Sequence, residues 1–375
     1  MKLVVTLKET KKLCVCFNEI KFLKKILSKE KIEYTKLLLV THKRLWRIYQ
    51  QMFKNLFDKK NIVFVPEGEK CKTFFWLQFL YKKFLQNKLD RKSIVLSLGG
   101  GVIGDLVGFA ASTYMRGIRY IQIPTTLLAM VDASIGGKTA VDITEGKNLI
   151  GSFYQPVLIV IDLDFLKTLP YNEIRNAFGE IIKYSIINKE VFELLQNVEK
   201  QKIYSFPFPI NKFTRRLIYL CVKTKLKVVQ QDEKETKGIR EILNLGHTIA
   251  HAIETSTKYQ LYSHGEAVIL GLVAECYLAK KMGVLNEQDY TKINMLIEKY
   301  LHIEDINKKI LKINARNIAK FVKFDKKTLQ QKVYRFALPT KIGNVKVIED
   351  IKYNLIVESV KFLQQWLAKK TSNKY

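Results

Sequence analysis

What the sequence lacks narrows its class first. No stretch approaches the roughly eighteen consecutive apolar residues that a membrane-spanning helix requires. The opening MKLVVTLKETKKL has neither the apolar core nor the small-residue cleavage site of a signal peptide. A soluble cytoplasmic protein is expected. Only five cysteines occur, Cys14, Cys16, Cys71, Cys221 and Cys276, with no C-x-x-C pair and no even framework, which excludes a disulfide scaffold. Cys14 and Cys16 bracket a single valine, so in a strand they would share a face and pack as reduced, buried thiols. Acidic residues are few, 35 Asp+Glu against 64 Lys+Arg. Such an excess ordinarily indicates nucleic acid or an anionic membrane as partner. Here the lysines are spread through amphipathic helices with no single stripe, so neither partner is expected, although the charge can assist capture of an anionic substrate. There is no internal repeat and no low-complexity linker.

What is present reads as a globular enzyme. A chain of 375 residues, 47% of them apolar, can build one large or two ordinary domains. Two opening strands, Leu3 to Leu7 and Leu13 to Phe17, lead into a strand–helix alternation: a helix to Ser28, strand Lys36 to Val40, a helix to Phe57, and strand Ile62 to Val65. That alternation predicts a largely parallel sheet. The strand pattern stops near Asp162. Everything after Pro170 reads as helix, broken at Pro207 and Pro209 and near Gly238 and Gly265, with a Lys-rich helical tail after Pro339. The expected fold is an α/β N-terminal domain with a Rossmann-like parallel sheet over residues 1–168 and an all-α C-terminal domain over residues 169–375.

The stretch Ser93 to Pro156 holds ten of the eighteen glycines. Ile94 to Leu98 reads as a buried strand ending on Gly99, Gly100, Gly101 and then Gly104, which fits the G-x-G-x-x-G pattern. Glycine lets the backbone turn sharply against a ligand, and the N–H groups of the following helix suit a pyrophosphate. The carboxylate that usually closes the next strand of a Rossmann unit is missing; Arg119 and Tyr120 stand there. Pro124-Thr125-Thr126, Asp132, Gly136-Gly137-Lys138 and Gly146-Lys147-Asn148 follow in quick succession. Two Gly-Lys pairs combine backbone access with point charges and suit a phosphorylated ligand.

Histidine is scarce, five in all, yet His247, His251 and His264 fall in one short stretch. His247 and His251 are one helical turn apart, so both rings can face one cleft. Spacing alone points to these two plus a carboxylate as a three-ligand catalytic metal site.

The blocks GGGVIGDLVGFAASTYMRGI, IPTTLLAMVDASIGGKTAVD, GKNLIGSFYQP, FLKTLP, FGEIIKYSII, LNLGHTIAHAIE and HGEAV resemble the signature blocks of the 3-dehydroquinate synthase family, within the sugar-phosphate cyclase superfamily. The resemblance runs from about Pro66 to Glu275. It implies NAD as cofactor and a metal, zinc with cobalt as a substitute, bound by Glu180, His247 and His264; His251 then faces the substrate phosphate. Glu69 and Lys72 would hold the adenosine ribose. Gly100, Gly101, Val102, Asp105, Thr125, Thr126 and Lys147 would line the dinucleotide, with Phe165, Thr168, Leu169 and Glu173 beyond them. Asp132 and Lys138 would serve both cofactor and reacting carbon, while Asn148, Asn244, His251 and one of Lys326 or Lys327 would meet the phosphate. Lys225 and Arg240 would grip the substrate carboxylate, with Lys183 and Glu235 as second partners. Arg116 matches an arginine that family members insert into a neighbouring subunit, which implies a homodimer.

The implied reaction converts 3-deoxy-D-arabino-heptulosonate 7-phosphate to 3-dehydroquinate and phosphate. It proceeds by transient oxidation with NAD, phosphate elimination, reduction and aldol cyclisation, the second step of the shikimate pathway to chorismate and aromatic amino acids. Another sugar-phosphate cyclase and a metal-dependent polyol dehydrogenase are the competing readings. The first would not need Lys225 and Arg240, and the second would not need Lys138, Asn148 and His251. The chain departs from the family pattern at His42, Met130 and Ala250, and its block Asp232 to Arg240 is one residue longer than is typical.

Overall fold

The computed structural model describes residues 1–7, 12–17, 19–199, 207–301, 306–322 and 333–372; Lys326 and Lys327 lie outside them. The chain divides into two units, Met1–Pro170 with Phe206–Lys234, and Tyr171–Ser205 with Glu235–Tyr375.

The first unit is built on a seven-stranded sheet. Its strands are β1 (Lys2–Val5), β2 (Leu13–Phe17), β3 (Leu37–Thr41), β4 (Ile62–Phe64), β5 (Ile94–Gly99), β6 (Arg119–Pro124) and, after a hairpin of β7 (Lys138–Ile143) and β8 (Gly146–Phe153), β9 (Leu158–Ile161). The helices between them are α1 (Leu23–Lys29), α2 (Lys43–Phe53), α3 (Phe74–Gln86) and α4 (Gly101–Thr113). The sheet order is β1-β2-β9-β6-β5-β3-β4. Only β1 runs antiparallel to its neighbour.

β5 and β9 are buried along their whole length, as the predominantly apolar strands of a parallel sheet covered on both faces should be; the one polar side chain in them, Ser97 of β5, bonds the Ile121 carbonyl. The chain reverses its direction of winding between β3 and β5, so the carboxyl ends of these strands form the crevice where open α/β sheets take ligands. β5 delivers its glycine turn to that point. The core beneath joins α3 and α4 to the sheet through Leu77, Leu80, Phe84, Leu106, Val107 and Tyr120.

The second unit is helical. It opens with α5 (Tyr171–Ile187) and α6 (Lys189–Gln196); the chain then returns to the first unit as α7 (Lys212–Gln231) and comes back with α8 (His247–Ser256), α9 (His264–Lys281), α10 (Glu287–Tyr300) and α11 (Ala315–Ala319). α9 is buried almost throughout from Ala267 to Ala279 and packs against α5, α8, α10 and α12 (Tyr353–Ser372). Past Pro339 the expected uninterrupted helix gives way to a hairpin of β10 (Phe336–Lys341) and β11 (Asn344–Ile348) before α12. Gly343 turns that hairpin at φ +87°, a conformation that L side chains rarely adopt.

Candidate active site

In the second unit three ligand-type side chains converge from three helices. Glu180 comes from the middle of α5, His247 from the first residue of α8 and His264 from the first residue of α9. Their donor atoms lie within 4.8 Å of one another. His247 Nε2 is 3.1 Å and His264 Nε2 3.3 Å from the same Glu180 oxygen, Oε1. The opposite face of each ring is anchored. His247 Nδ1 lies 3.2 Å from the Leu245 carbonyl, and His264 Nδ1 lies 3.2 Å from Glu254 Oε1. Bonds of this kind fix the tautomer and leave Nε2 as the ligand atom. The second carboxylate oxygen of Glu180 pairs with Lys183, one helical turn along.

The electrostatics call for a cation. Burial alone would raise the Glu180 carboxyl, but Lys183 and the His247 and His264 rings outweigh it and hold the group well below the usual carboxylate range. Burial also opposes charge on His264, yet Glu180 and Glu254 override it and push the ring up to about 10. The proton held between these buried groups is one that a divalent metal can displace, with the carboxylate and two neutral imidazoles as its ligands. The donor set fits such an ion.

The helices that carry these ligands are locked by close backbone approach. A Cβ on Gly179 would lie 2.4 Å from the Gly265 carbonyl oxygen, and one on Gly271 would lie 1.9 Å from that of Gly246. α5 therefore seats directly on α9 beside Glu180 and His264, and α8 seats on α9 beside His247. Glu275, fully buried in α9, accepts hydrogen bonds from the N–H groups of Gly246 and Ile249, the latter at 3.0 Å. It caps the helix whose first two turns present His247 and His251; burial raises its carboxyl to about 8 against the pull of those N–H groups. Sequence reasoning missed Glu254 and Glu275. A lone acid in the apolar run VILGLVAECYLA was the available signal for Glu275, because a buried carboxylate must find donors.

The other expected residues of this unit differ in exposure. His251 is exposed, with its ring centroid 5.5 Å from that of His247. Asn244 is exposed at the end of a short 3₁₀ turn, Ile239–Asn244, in which Arg240 is buried. Glu173 lies in the first turn of α5, and Glu235 sits at φ +58°.

In the first unit β5 ends at Gly99 and α4 starts at Gly101, so Gly100, Gly101 and Val102 form the helix entrance. The leading N–H groups of an α-helix have no partner within the helix. A Cβ on Gly104 would come 2.8 Å from the Gln122 side-chain oxygen, which is the close helix–strand packing that the third glycine of a dinucleotide turn provides. The Thr125 N–H donates to the Gly99 carbonyl at 3.0 Å, and Thr126 Oγ1 accepts from the Ala129 N–H at 3.1 Å.

Three expected residues meet beside this turn. Buried Lys72 lies 2.6 Å from Asp105 Oδ2 and also donates to Asn148 Oδ1. Asn148 holds φ +57° while its N–H bonds Asp142 Oδ1 at 2.8 Å. Burial raises the Asp105 carboxyl to about 6 against the pull of Lys72. Lys147 is 3.6 Å from Glu69. Ala129–Ala133 form a π-helical turn, a distortion common at functional sites, and it carries Asp132 to within 2.9 Å of Lys225 on α7. Lys138 opens β7 and is exposed. Phe165, Thr168 and Leu169 lie on and after the 3₁₀ turn Leu163–Thr168, where the Tyr49 hydroxyl donates to the Phe165 carbonyl at 3.0 Å. His42 caps α2, its Nδ1 accepting from the Leu45 N–H at 3.2 Å. Arg116 is exposed, and it follows Met115 in left-handed backbone at φ +66° and +51°.

Comparison with known proteins resolves the class. A solved 2-deoxy-scyllo-inosose synthase complexed with carbaglucose-6-phosphate, NAD+ and Co2+ is 23% identical with a TM-score of 0.79, covering 96% of this chain and 99% of that one. A 2-epi-5-epi-valiolone synthase from Streptomyces hygroscopicus, with NAD+ and Zn2+ bound, is 24% identical with a TM-score of 0.76 over 94% and 96% of the two chains. The chain therefore has the fold of these two synthases. Residues 62–176 match the 3-dehydroquinate synthase N-terminal family and residues 177–328 its C-terminal counterpart. The 3-dehydroquinate synthase of Microcystis aeruginosa is 42% identical over 328 residues, 86% of this chain and 87% of the relative. The chain belongs to the 3-dehydroquinate synthase family. Its activity is that of a phosphate-eliminating carbon–oxygen lyase in the shikimate route to aromatic amino acids.

Proposed function

We propose that the chain forms 3-dehydroquinate from 3-deoxy-D-arabino-heptulosonate 7-phosphate with NAD and a divalent metal, zinc or cobalt, held by Glu180, His247 and His264. The observation that carries this reading is the convergence of two anchored imidazoles on one oxygen of a buried carboxylate. The glycine turn at Gly99 to Gly104 supports the dinucleotide, as do the NAD+ and Co2+ or Zn2+ named for the two similar cyclases. When bound, NAD takes and returns a hydride, and the metal acts as Lewis acid toward the substrate hydroxyls.

The chain's own residues bind and orient. Lys72, Asp105 and Glu69 hold the nucleotide, with Thr125, Thr126 and Lys147 beside the turn and Phe165, Thr168, Leu169 and Glu173 completing the contacts. Lys225 and Arg240 take the substrate carboxylate; a guanidinium suits that acceptor. Asn148, Asn244 and His251 take the phosphate end. Asp132 and Lys138 stand by the reacting carbon, and Lys183 keeps Glu180 ionised. The departing phosphate accepts the proton next to the oxidised carbon, so the protein contributes chiefly position and field.

A homodimer in the cytoplasm completes the reading. Among the described residues no helix is long and apolar enough to cross a membrane. Leu149, Ile150 and Phe153 on β8 leave 61%, 36% and 39% of their surface exposed. The two consecutive left-handed residues Met115 and Arg116 present the arginine at a cost of about 1–3 kcal/mol each. Such strain and such an apolar strand fit a face covered by a second copy.

The test supplies the seven-carbon keto-acid phosphate, NAD and zinc, with added dehydratase to reveal product. Phosphate release with conjugated product and no net NADH supports the reading. Phosphate kept on the substrate while a polyol drives NADH accumulation would replace it with the dehydrogenase reading.

A further inference from the structure

The first unit contains a second convergence of ligand-type atoms, independent of the catalytic reading. Cys14 and Cys16 occupy alternate positions of β2, and β1 pairs Val4 with Cys14 and Lys2 with Cys16. Residues directly opposite in a sheet share a face. That face is the one on which β1 exposes Lys2 and Val4. The two sulfurs lie 3.6 Å apart. Glu30, at the C-terminal end of α1, brings a carboxylate oxygen into the group, so that two sulfurs and one oxygen fall within 4.8 Å of one another. Both thiols are buried, Cys14 at 1% and Cys16 at 7% exposure, and the Glu30 side chain is 4% exposed.

Simple packing of two small apolar thiols does not require a buried carboxylate beside them. Glu30 instead pairs with two ammonium groups, Lys2 and, at 3.1 Å, Lys12. Both lysine side chains are substantially exposed, at 38% and 52%, so each can swing out into water. The sulfur separation is also close to the edge of a tetrahedron with metal–sulfur bonds of about 2.3 Å.

We propose that Cys14, Cys16 and Glu30 form a binding site for a thiophilic divalent cation such as zinc. Binding releases the thiol protons to solvent and frees Glu30 from its lysines. Two thiolates, a carboxylate and a divalent ion leave one net negative charge, which Lys2 and Lys12 remain at hand to balance. No catalytic residue contributes to this set. Its occupancy would fasten β2 to the end of α1.

The test is a cobalt(II) titration of the full chain, reduced and metal-free, followed by absorbance in the near ultraviolet. Thiolate-to-cobalt charge transfer appears there, and the Glu180, His247 and His264 set, which has no sulfur, cannot produce it. The expected result is a band that saturates with one equivalent bound. It should disappear in Cys14→Ser and in Cys16→Ser, and Glu30→Gln should weaken the affinity that it reports by roughly tenfold or more. No charge-transfer band in the unmodified chain, or a band that survives both serine substitutions, overturns the proposal. The unmodified chain alone decides the first outcome, so a variant that fails to fold does not rescue it.

Discussion

The Lys225 ammonium grips Asp132 twice, at 2.9 Å from a carboxylate oxygen and at 2.9 Å from its backbone carbonyl. α7 leaves the helical stretch of sequence to pack against the π-helical turn that bears Asp132. The pair therefore fixes both a side chain and the π-helical turn that carries it. Lys225→Met should lower kcat/KM roughly a hundredfold, about 3 kcal/mol. Thermal unfolding should shift by only a few degrees. Steady-state kinetics beside a melting curve measures both.

Glu254 anchors His264, and through it would act on a metal held as proposed. The 3.2 Å bond to Nδ1 holds the ring's other nitrogen toward Glu180. Glu254→Gln keeps the shape and removes the charge. Zinc affinity, measured by competition with a chelator, should fall by about 10–100-fold while the far-ultraviolet dichroism stays unchanged.

Gly271 has no room for a side chain, since a Cβ would meet the Gly246 carbonyl oxygen at 1.9 Å and the Ala250 nitrogen at 3.0 Å. Both obstacles are backbone. Gly271→Ala must push α8 away from α9, costing about 1–3 kcal/mol. The same displacement moves His247 relative to His264, so zinc affinity should fall together with the urea midpoint. Gly283→Ala is the control for a glycine with open space around it, although its φ of +71° adds backbone strain of its own; it should cost stability and leave zinc affinity intact.

Asp105 gives a pH signature of definite sign. Its carboxyl is raised from the ordinary 3.8 to about 6 by burial, which outweighs Lys72. Between those values the folded chain holds a proton that the unfolded chain has released. Its contribution to stability is full below about pH 4, declines as pH rises through about 6, and is flat above that. Asp105→Asn should remove this part of the decline in a series of urea midpoints at different pH. Since the proposed nucleotide contact of Asp105 is that of the carboxylate anion, NAD affinity should follow the opposite course in the unmodified chain, rising as pH climbs through about 6.

Much of the parallel-sheet architecture was legible because buried parallel strands such as Ile94–Gly99 are short, almost wholly apolar runs that end in turn residues. The glycine turn was visible for the same reason. His247 and His264 stood out through the scarcity of histidine, but spacing alone favoured His251 over His264, because helical periodicity cannot see a ligand arriving from the start of another helix. Glu254 was invisible to pattern and Glu275 showed only as a lone acid in an apolar run; their roles come from α9 lying against α8. The hairpin at Phe336–Ile348 was hidden by lysines that make its exposed positions look helical, and only the antiparallel pairing that runs from Phe336 with Ile348 to Lys341 with Asn344 defines it.

The most direct measurement is phosphate release by the demetallated chain as zinc is added, recorded for the unmodified protein and for Glu180→Ala. The account requires release to be absent without metal, to be restored at one equivalent in the catalytic site, and to stay absent in Glu180→Ala at any zinc concentration that the fold tolerates. Release that needs no metal, or a variant restored by zinc as readily as the unmodified chain, would contradict it.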